Sequence, residues 1–153
     1  MGKIKVGVFS FTCCEGCTVV FLEILNKKYE EYMKKIDIVN MRTLKTSKQI
    51  KPMDIALVEG AISTESEIRK LKEIRKKTKK LIALGSGATN GYPSNQRNKF
   101  SAEKKKLIQP LIKKFHQIKT IEPINRFVKV DDNIEGCPVS EQDLINKIEG
   151  YLK

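Results

Sequence analysis

Apolar residues along this chain fall into short blocks separated by longer stretches in which they recur at helical spacing. Residues 4–11 form the first block and predict a strand, and 37–44, 54–59 and 81–84 predict three more, with a weaker fifth at 127–130. Between them, Val20, Ile24, Leu25 and Tyr32 predict a helix over 18–33. Ile68, Leu71 and Ile74 predict another over 64–79, opened by Thr64 as a capping residue with Glu65 and Glu67 in the first turn. Gly85-Ser86-Gly87 stops the fourth strand, and 88–101, with Asn90-Gly91-Tyr92-Pro93-Ser94-Asn95, reads as a long polar loop. Residues 102–118 predict a helix in which Pro110 must start a new helix or make a kink, and 140–152 a last helix capped by Ser140. Strand and helix alternate, which is the pattern of an α/β fold with a parallel sheet and crossover helices. No repeat, linker or second hydrophobic unit interrupts it, so one domain over 1–153 is expected.

Composition narrows the class. With 153 residues the chain can bury a sizeable core, and its 40% hydrophobic content is ordinary. No apolar run reaches membrane-spanning length and no signal peptide is recognisable, so a soluble, cytoplasmic protein without a transmembrane segment is expected. Thirty Lys and Arg against eighteen Asp and Glu give a formal charge of +12. The lysines sit in runs such as 76–80 and 104–106, where solvated helix faces account for them. No strip interleaves aromatic and basic residues as base stacking requires, so nucleic acid is not an expected partner.

The cysteines carry the chemistry. Cys13, Cys14 and Cys17 lie within Cys13-Cys14-Glu15-Gly16-Cys17, and the fourth is far downstream in Gly136-Cys137-Pro138. A Cys-x-x-Cys turn delivers two soft thiolates with one loop closure, and a distant cysteine can complete a site for an iron–sulfur cluster. Structural zinc uses the same ligands, disulfides are a further option although adjacent Cys13 and Cys14 pair poorly with each other, and buried inert thiols are the plainest reading. On the expected scaffold, Cys13 to Cys17 follow the first strand, Gly85 to Gly87 the fourth, and Cys137 lies between the fifth strand and the last helix. All stand at carboxyl ends of strands, the edge where open α/β sheets bind ligands. Cys17 would start a helix whose free N–H groups and positive dipole end suit a negatively charged cofactor.

Several segments together resemble the small subunit of nickel-iron hydrogenases: Phe9-Ser10-Phe11-Thr12-Cys13-Cys14-Glu15-Gly16-Cys17, Leu57-Val58-Glu59-Gly60-Ala61-Ile62, Ile74-Arg75, Ala83-Leu84-Gly85-Ser86-Gly87-Ala88 with Gly91, and Gly136-Cys137-Pro138. The likeness is closest to the cytoplasmic hydrogenase and sulfhydrogenase type, and extends to the 20 kDa subunit of respiratory NADH:quinone oxidoreductase. It implies a flavodoxin-like domain, a three-layer parallel sheet with helices on both faces, holding a proximal 4Fe-4S cluster. It also implies a large catalytic subunit as partner, with a further redox subunit or soluble electron carrier. Carried over by position, Cys14 and Cys17 match the family's Cys-x-x-Cys pair and Cys137 the cysteine of its Gly-Cys-Pro segment. Glu15, Gly16, Glu59, Ser86 and Pro138 match motif positions around the cluster and the subunit interface, although Glu59 also suits a strand-end carboxylate that caps local N–H groups.

One position departs from the family. Its remaining ligand occupies the Gly-x-Cys turn after the fourth strand, where this chain has Gly87. Cys13 restores the count to four, as a tandem cysteine pair does in the related respiratory subunit. Three protein ligands with water, Ser86 or a partner residue at the fourth iron, a three-iron cluster, or an absent cluster are the other outcomes. The chain ends after a single helix, so one cluster at most is expected, and it lacks the paired Cys-x-x-Cys motifs that bind nickel, so catalysis is assigned to another subunit and electron relay to this one. A flavin or nucleotide module lacks its Gly-rich fingerprint. A bracing subunit that has lost its cofactor is the alternative that Gly87 favours. His116, in a Lys-rich stretch with no catalytic company, reads as a surface or interface residue, and a Cys17 nucleophile is disfavoured by its neighbouring thiols.

Overall fold

The structure, a computed structural model, describes residues 2–45 and 49–152. Met1 and Lys153, the ends of the expected domain, fall outside the described residues. The central sheet holds β1 (Ile4–Ser10), β2 (Ile36–Met41), β3 (Met53–Glu59), β5 (Thr78–Leu84) and β7 (Asp132–Ile134) in the order β2-β1-β3-β5-β7, every pair parallel. This is the flavodoxin-like strand order, and it brings the carboxyl ends of β1, β3, β5 and β7 to one edge.

Both faces of the sheet are covered, which explains why its strands read as unbroken apolar runs. Val8, Leu57 and Ile82 are neighbours across β1, β3 and β5 and face a core built with Phe21, Ile24 and Leu25 of α1 (Gly16–Lys27) and Leu144 and Ile148 of α6 (Glu141–Tyr151). One residue along each strand, Phe9, Val58 and Ala83 face the other core, with Leu71 and Ile74 of α3 (Glu65–Lys77) and Ala88 of α4 (Gly85–Asn90). The two-residue period of the strand separates these layers.

Local differences from the sequence reading have identifiable causes. The helix expected over 18–33 divides into α1 and α2 (Tyr29–Lys35), because the stripe Ile24, Lys28, Tyr32 would carry a lysine inward. Lys28 instead reaches Glu149 of α6 at 2.5 Å, and the chain reorients to bury Tyr32 completely. The stretch 88–101 is not a loop throughout: α4 runs to Asn90 and a 3-10 turn spans Ser94–Lys99. Helix α5 (Ala102–Lys114) runs through Pro110 and stops short of the expected 118. There His116, at φ +51°, reverses the chain into β6 (Gln117–Glu122), which pairs antiparallel with β4 (Ile62–Thr64) in a small second sheet. Residues 127–130 do not form the fifth strand. The Asp131 carboxylate accepts the Leu81 N–H at 2.8 Å, so the ladder on β5 begins only at Asp132, while Phe127, Val128 and Val130 pack on the core.

Candidate iron–sulfur site

The site begins where β1 runs out. After Ser10 the chain stays tied to β3 and its continuation: Phe11 N–H donates to the Glu59 carbonyl at 2.9 Å, and Thr12 and Ala61 exchange backbone bonds at 3.0 Å. The Thr12 hydroxyl lies 2.6 Å from the Ser63 hydroxyl and donates to Glu67 at 3.0 Å. Glu67 is also the return arm of the capping box at the start of α3, where it accepts the Thr64 N–H at 3.1 Å. The strand-to-helix loop carrying the cysteines is therefore anchored to the α3 terminus before the first thiol appears. The sequence marked Thr64 as a cap with Glu67 in the first turn, but the return arm of Glu67 and its link to Thr12 needed the fold.

Helix α1 then starts at Gly16 with Glu15 in a left-handed conformation, φ +61°, and no cap from its own side chain. Glu59, at the end of β3 and only 3% exposed, supplies it: Oε1 accepts the Cys17 N–H at 3.1 Å, and Oε2 accepts the Thr18 N–H at 2.9 Å and the Thr18 hydroxyl at 2.7 Å. The expectation of free N–H groups at this terminus is thus corrected at Cys17 and Thr18, because a buried carboxylate has taken them.

Cys17 is buried, Cys13 half-buried, and Cys14 and Cys137 exposed. Gly85, at φ +80°, lets the β5 end pass so close that a Cβ there would stand 2.5 Å from Cys17 Sγ. On the same side, a Cβ on Gly16 would stand 3.4 Å from Cys14 Sγ and 3.7 Å from Pro138 Cβ. Ser86 fastens the downstream loop, donating its N–H at 2.7 Å and its hydroxyl at 3.0 Å to the Gly136 carbonyl. Cys14, Cys17 and the Cys137-Pro138 segment therefore meet between the ends of β1, β5 and β7. Gly87 lies beside them without a thiol, packed so that a Cβ on it would stand 3.1 Å from Gly60 Cα. Gly60 in turn abuts Cys13, its own would-be Cβ lying 3.1 Å from Cys13 Cβ.

Burial pushes the Cys17 thiol up to about 11, against the N–H of Val139 and helped by the Glu59 charge. Burial likewise pushes Cys13 up to about 12, opposed by the Glu15 N–H and reinforced by the Glu59 and Glu15 carboxylates. Both are thiols at neutral pH, so binding metal must expel their protons. Among the described residues, no three His, Cys, Asp or Glu side chains converge on a single-ion position. Cys14 and Cys17 thiols at a glycine-lined strand edge, with the loop that bears Cys137 beside them, are soft donors of the kind a polynuclear cluster takes, whose irons accept thiolates at separate points.

The family described as NADH ubiquinone oxidoreductase, 20 Kd subunit, matches residues 14–151. The chain belongs to this family. Its relatives include hydrogenase subunits. It is 29% identical to the sulfhydrogenase 2 subunit delta of Pyrococcus furiosus over 98% of this chain and 62% of that protein. It is 34% identical to the coenzyme F420 hydrogenase subunit gamma of Methanosarcina barkeri over 98% of this chain and 55% of that protein. The chain thus spans little more than half the length of these two relatives. In fold it is similar to a chain of an NAD+-reducing [NiFe]-hydrogenase in the H2-reduced state, with a TM-score of 0.86 and 24% identity over 99% of this chain and 92% of that one. No helix among the described residues is long and apolar enough to cross a membrane.

Proposed function

We propose that this 20 Kd subunit family member is the electron-relay subunit of a hydrogenase-type oxidoreductase in the cytoplasm, a single domain holding one 4Fe-4S cluster and working against a separate catalytic subunit. The observation that carries the reading is the meeting of Cys14, Cys17 and the Cys137-Pro138 loop across glycines 16 and 85. When bound, the cluster supplies one-electron exchange. The chain's own residues do the rest: Glu59 fixes the turn that aims Cys17, Ser86 fastens the loop that bears Cys137, and the exposed side of Cys14 and Cys137 is left for a partner to cover. A further redox subunit or soluble carrier would complete the path.

Cys13 is the fourth ligand in this proposal. Its Cβ borders Gly60, the residue on which Gly87 is packed, while its thiol donates to the Phe11 carbonyl at 3.6 Å, a bond that ligation would have to replace. After anaerobic reconstitution, Cys14→Ser, Cys17→Ser and Cys137→Ser should each lose most of the iron, and Cys13→Ser should fall from about four to about three iron per chain. Four iron retained in Cys13→Ser would overturn its assignment.

A second reading, a bracing subunit without a cluster, draws on the same Gly87 contact, because a cysteine at the family's ligand position would crowd the Gly60 backbone, its Cβ standing 3.1 Å from Gly60 Cα.

A further inference from the structure

Helix α5 is held only along one side. Ile108 and Ile112 are half-buried and line a cleft with Gln117 and Thr120 of β6, and no residue of the helix is buried. Leu107, Leu111 and Phe115, four residues apart and so aligned along the helix, are 78%, 54% and 59% exposed. An aligned row of large apolar side chains in water marks an interaction surface.

Its surroundings are basic. Between residues 102 and 120, six lysines stand against one acid, Glu103. Among the described residues, none of the α5 lysines forms an ion pair, and neither does Glu103. Lys104 lies one turn before Leu107 and Lys114 one turn after Leu111, so both border the ridge. Their ammonium groups stand 5.8 Å from the Phe100 and Phe115 ring centroids respectively.

Charge complementarity demands an anionic occupant, and the residue types favour lipid over protein. Specific protein interfaces enrich Arg, Met, Tyr, Trp and Phe and deplete Lys. Helix α5 has none of the enriched types and five lysines, and Phe115 just past its end is the one aromatic of the ridge. A Leu/Phe ridge edged by lysines suits the headgroup plane of a bilayer, where lysine stems lie along the apolar boundary and the ammonium groups reach the phosphates. We propose that α5 is a peripheral docking element for an anionic lipid surface, with Leu107, Leu111 and Phe115 entering the acyl boundary. Three apolar side chains make the attachment reversible. The inference does not rest on the cluster.

The test is flotation of the full chain with phosphatidylcholine vesicles and with mixed phosphatidylcholine/phosphatidylglycerol vesicles. Wild type should float with the anionic vesicles alone and be released at about 0.5 M salt. L107S/L111S/F115S, with an unchanged circular dichroism spectrum, should partition about tenfold or more weakly. Should the triple variant misfold, Phe115→Ser alone should still bind severalfold more weakly. Failure of wild type to float at low salt overturns the proposal, as does undiminished flotation of the apolar variants, which would assign binding to diffuse lysine charge. Failure to float combined with loss of the catalytic subunit from the triple variant would make the ridge a protein interface instead.

Discussion

The main-chain N–H of Cys17 donates to Glu59 Oε1 at 3.1 Å, joining the first turn of α1 to the end of β3. Glu59 thereby does what Glu15 cannot do from its left-handed conformation: it caps the helix that presents Cys17. The same carboxylate adds negative charge beside a thiol already pushed up by burial, which keeps the proton on Cys17 in the metal-free chain.

Removing this cap should be costly. Glu59→Ala leaves the Cys17 and Thr18 N–H groups buried without their acceptor, and we expect a loss of about 2–4 kcal/mol in urea unfolding of the metal-free chain. Glu59→Gln keeps one carbonyl acceptor and should recover part of it.

Gly85→Ala should abolish iron binding. Its methyl would stand 2.5 Å from Cys17 Sγ on a backbone at φ +80°, so either the β5 end or the thiol must move. Stability should drop by about 1–3 kcal/mol, with iron content after reconstitution near zero.

Gly87→Cys restores the family's residue at the cost of a tight contact with the Gly60 turn. With Gly60 Cα 3.1 Å from the new Cβ, the metal-free variant should be less stable than wild type by about 1–3 kcal/mol, read from its urea midpoint. An unchanged midpoint would mean that the Gly60 turn yields freely.

Asp131 ties the final strand to the sheet, accepting from Arg75 Nη1 at 2.5 Å and from the Leu81 N–H at 2.8 Å. Burial alone would raise this carboxyl, but the Arg75 guanidinium and the Leu81 N–H outweigh it and hold the pKa below its ordinary value. The bound form is thus the ionised one. Its contribution is complete above the unfolded value of about 4 and is lost as pH falls through the lower folded value. Asp131→Asn should cost about 1–3 kcal/mol at neutral pH and flatten the acid limb of the stability profile.

Much of this was legible in the sequence. The buried central strands, the Thr64 cap, the Ser140 cap and the placement of the cysteines at strand carboxyl ends all follow from local pattern, because each is fixed by residues close together in the chain. Other features are set by distant partners. The fifth strand moved from 127–130 to Asp132–Ile134 because Asp131 takes the Leu81 N–H, a contact across 50 residues. β4 and β6 were invisible because each is short and its ladder partner lies far along the chain. Likewise, Gly87 was conspicuous as a missing cysteine, while its packing on Gly60 beside Cys13 emerges only when the ends of β1, β3 and β5 are assembled.

The most direct measurement is iron and acid-labile sulfide per chain after anaerobic purification or reconstitution, with electron paramagnetic resonance before and after dithionite. The account predicts about four of each, and a signal that appears on reduction. Zinc in place of iron, or no iron under any condition, would contradict it and leave a subunit that keeps the fold without the relay.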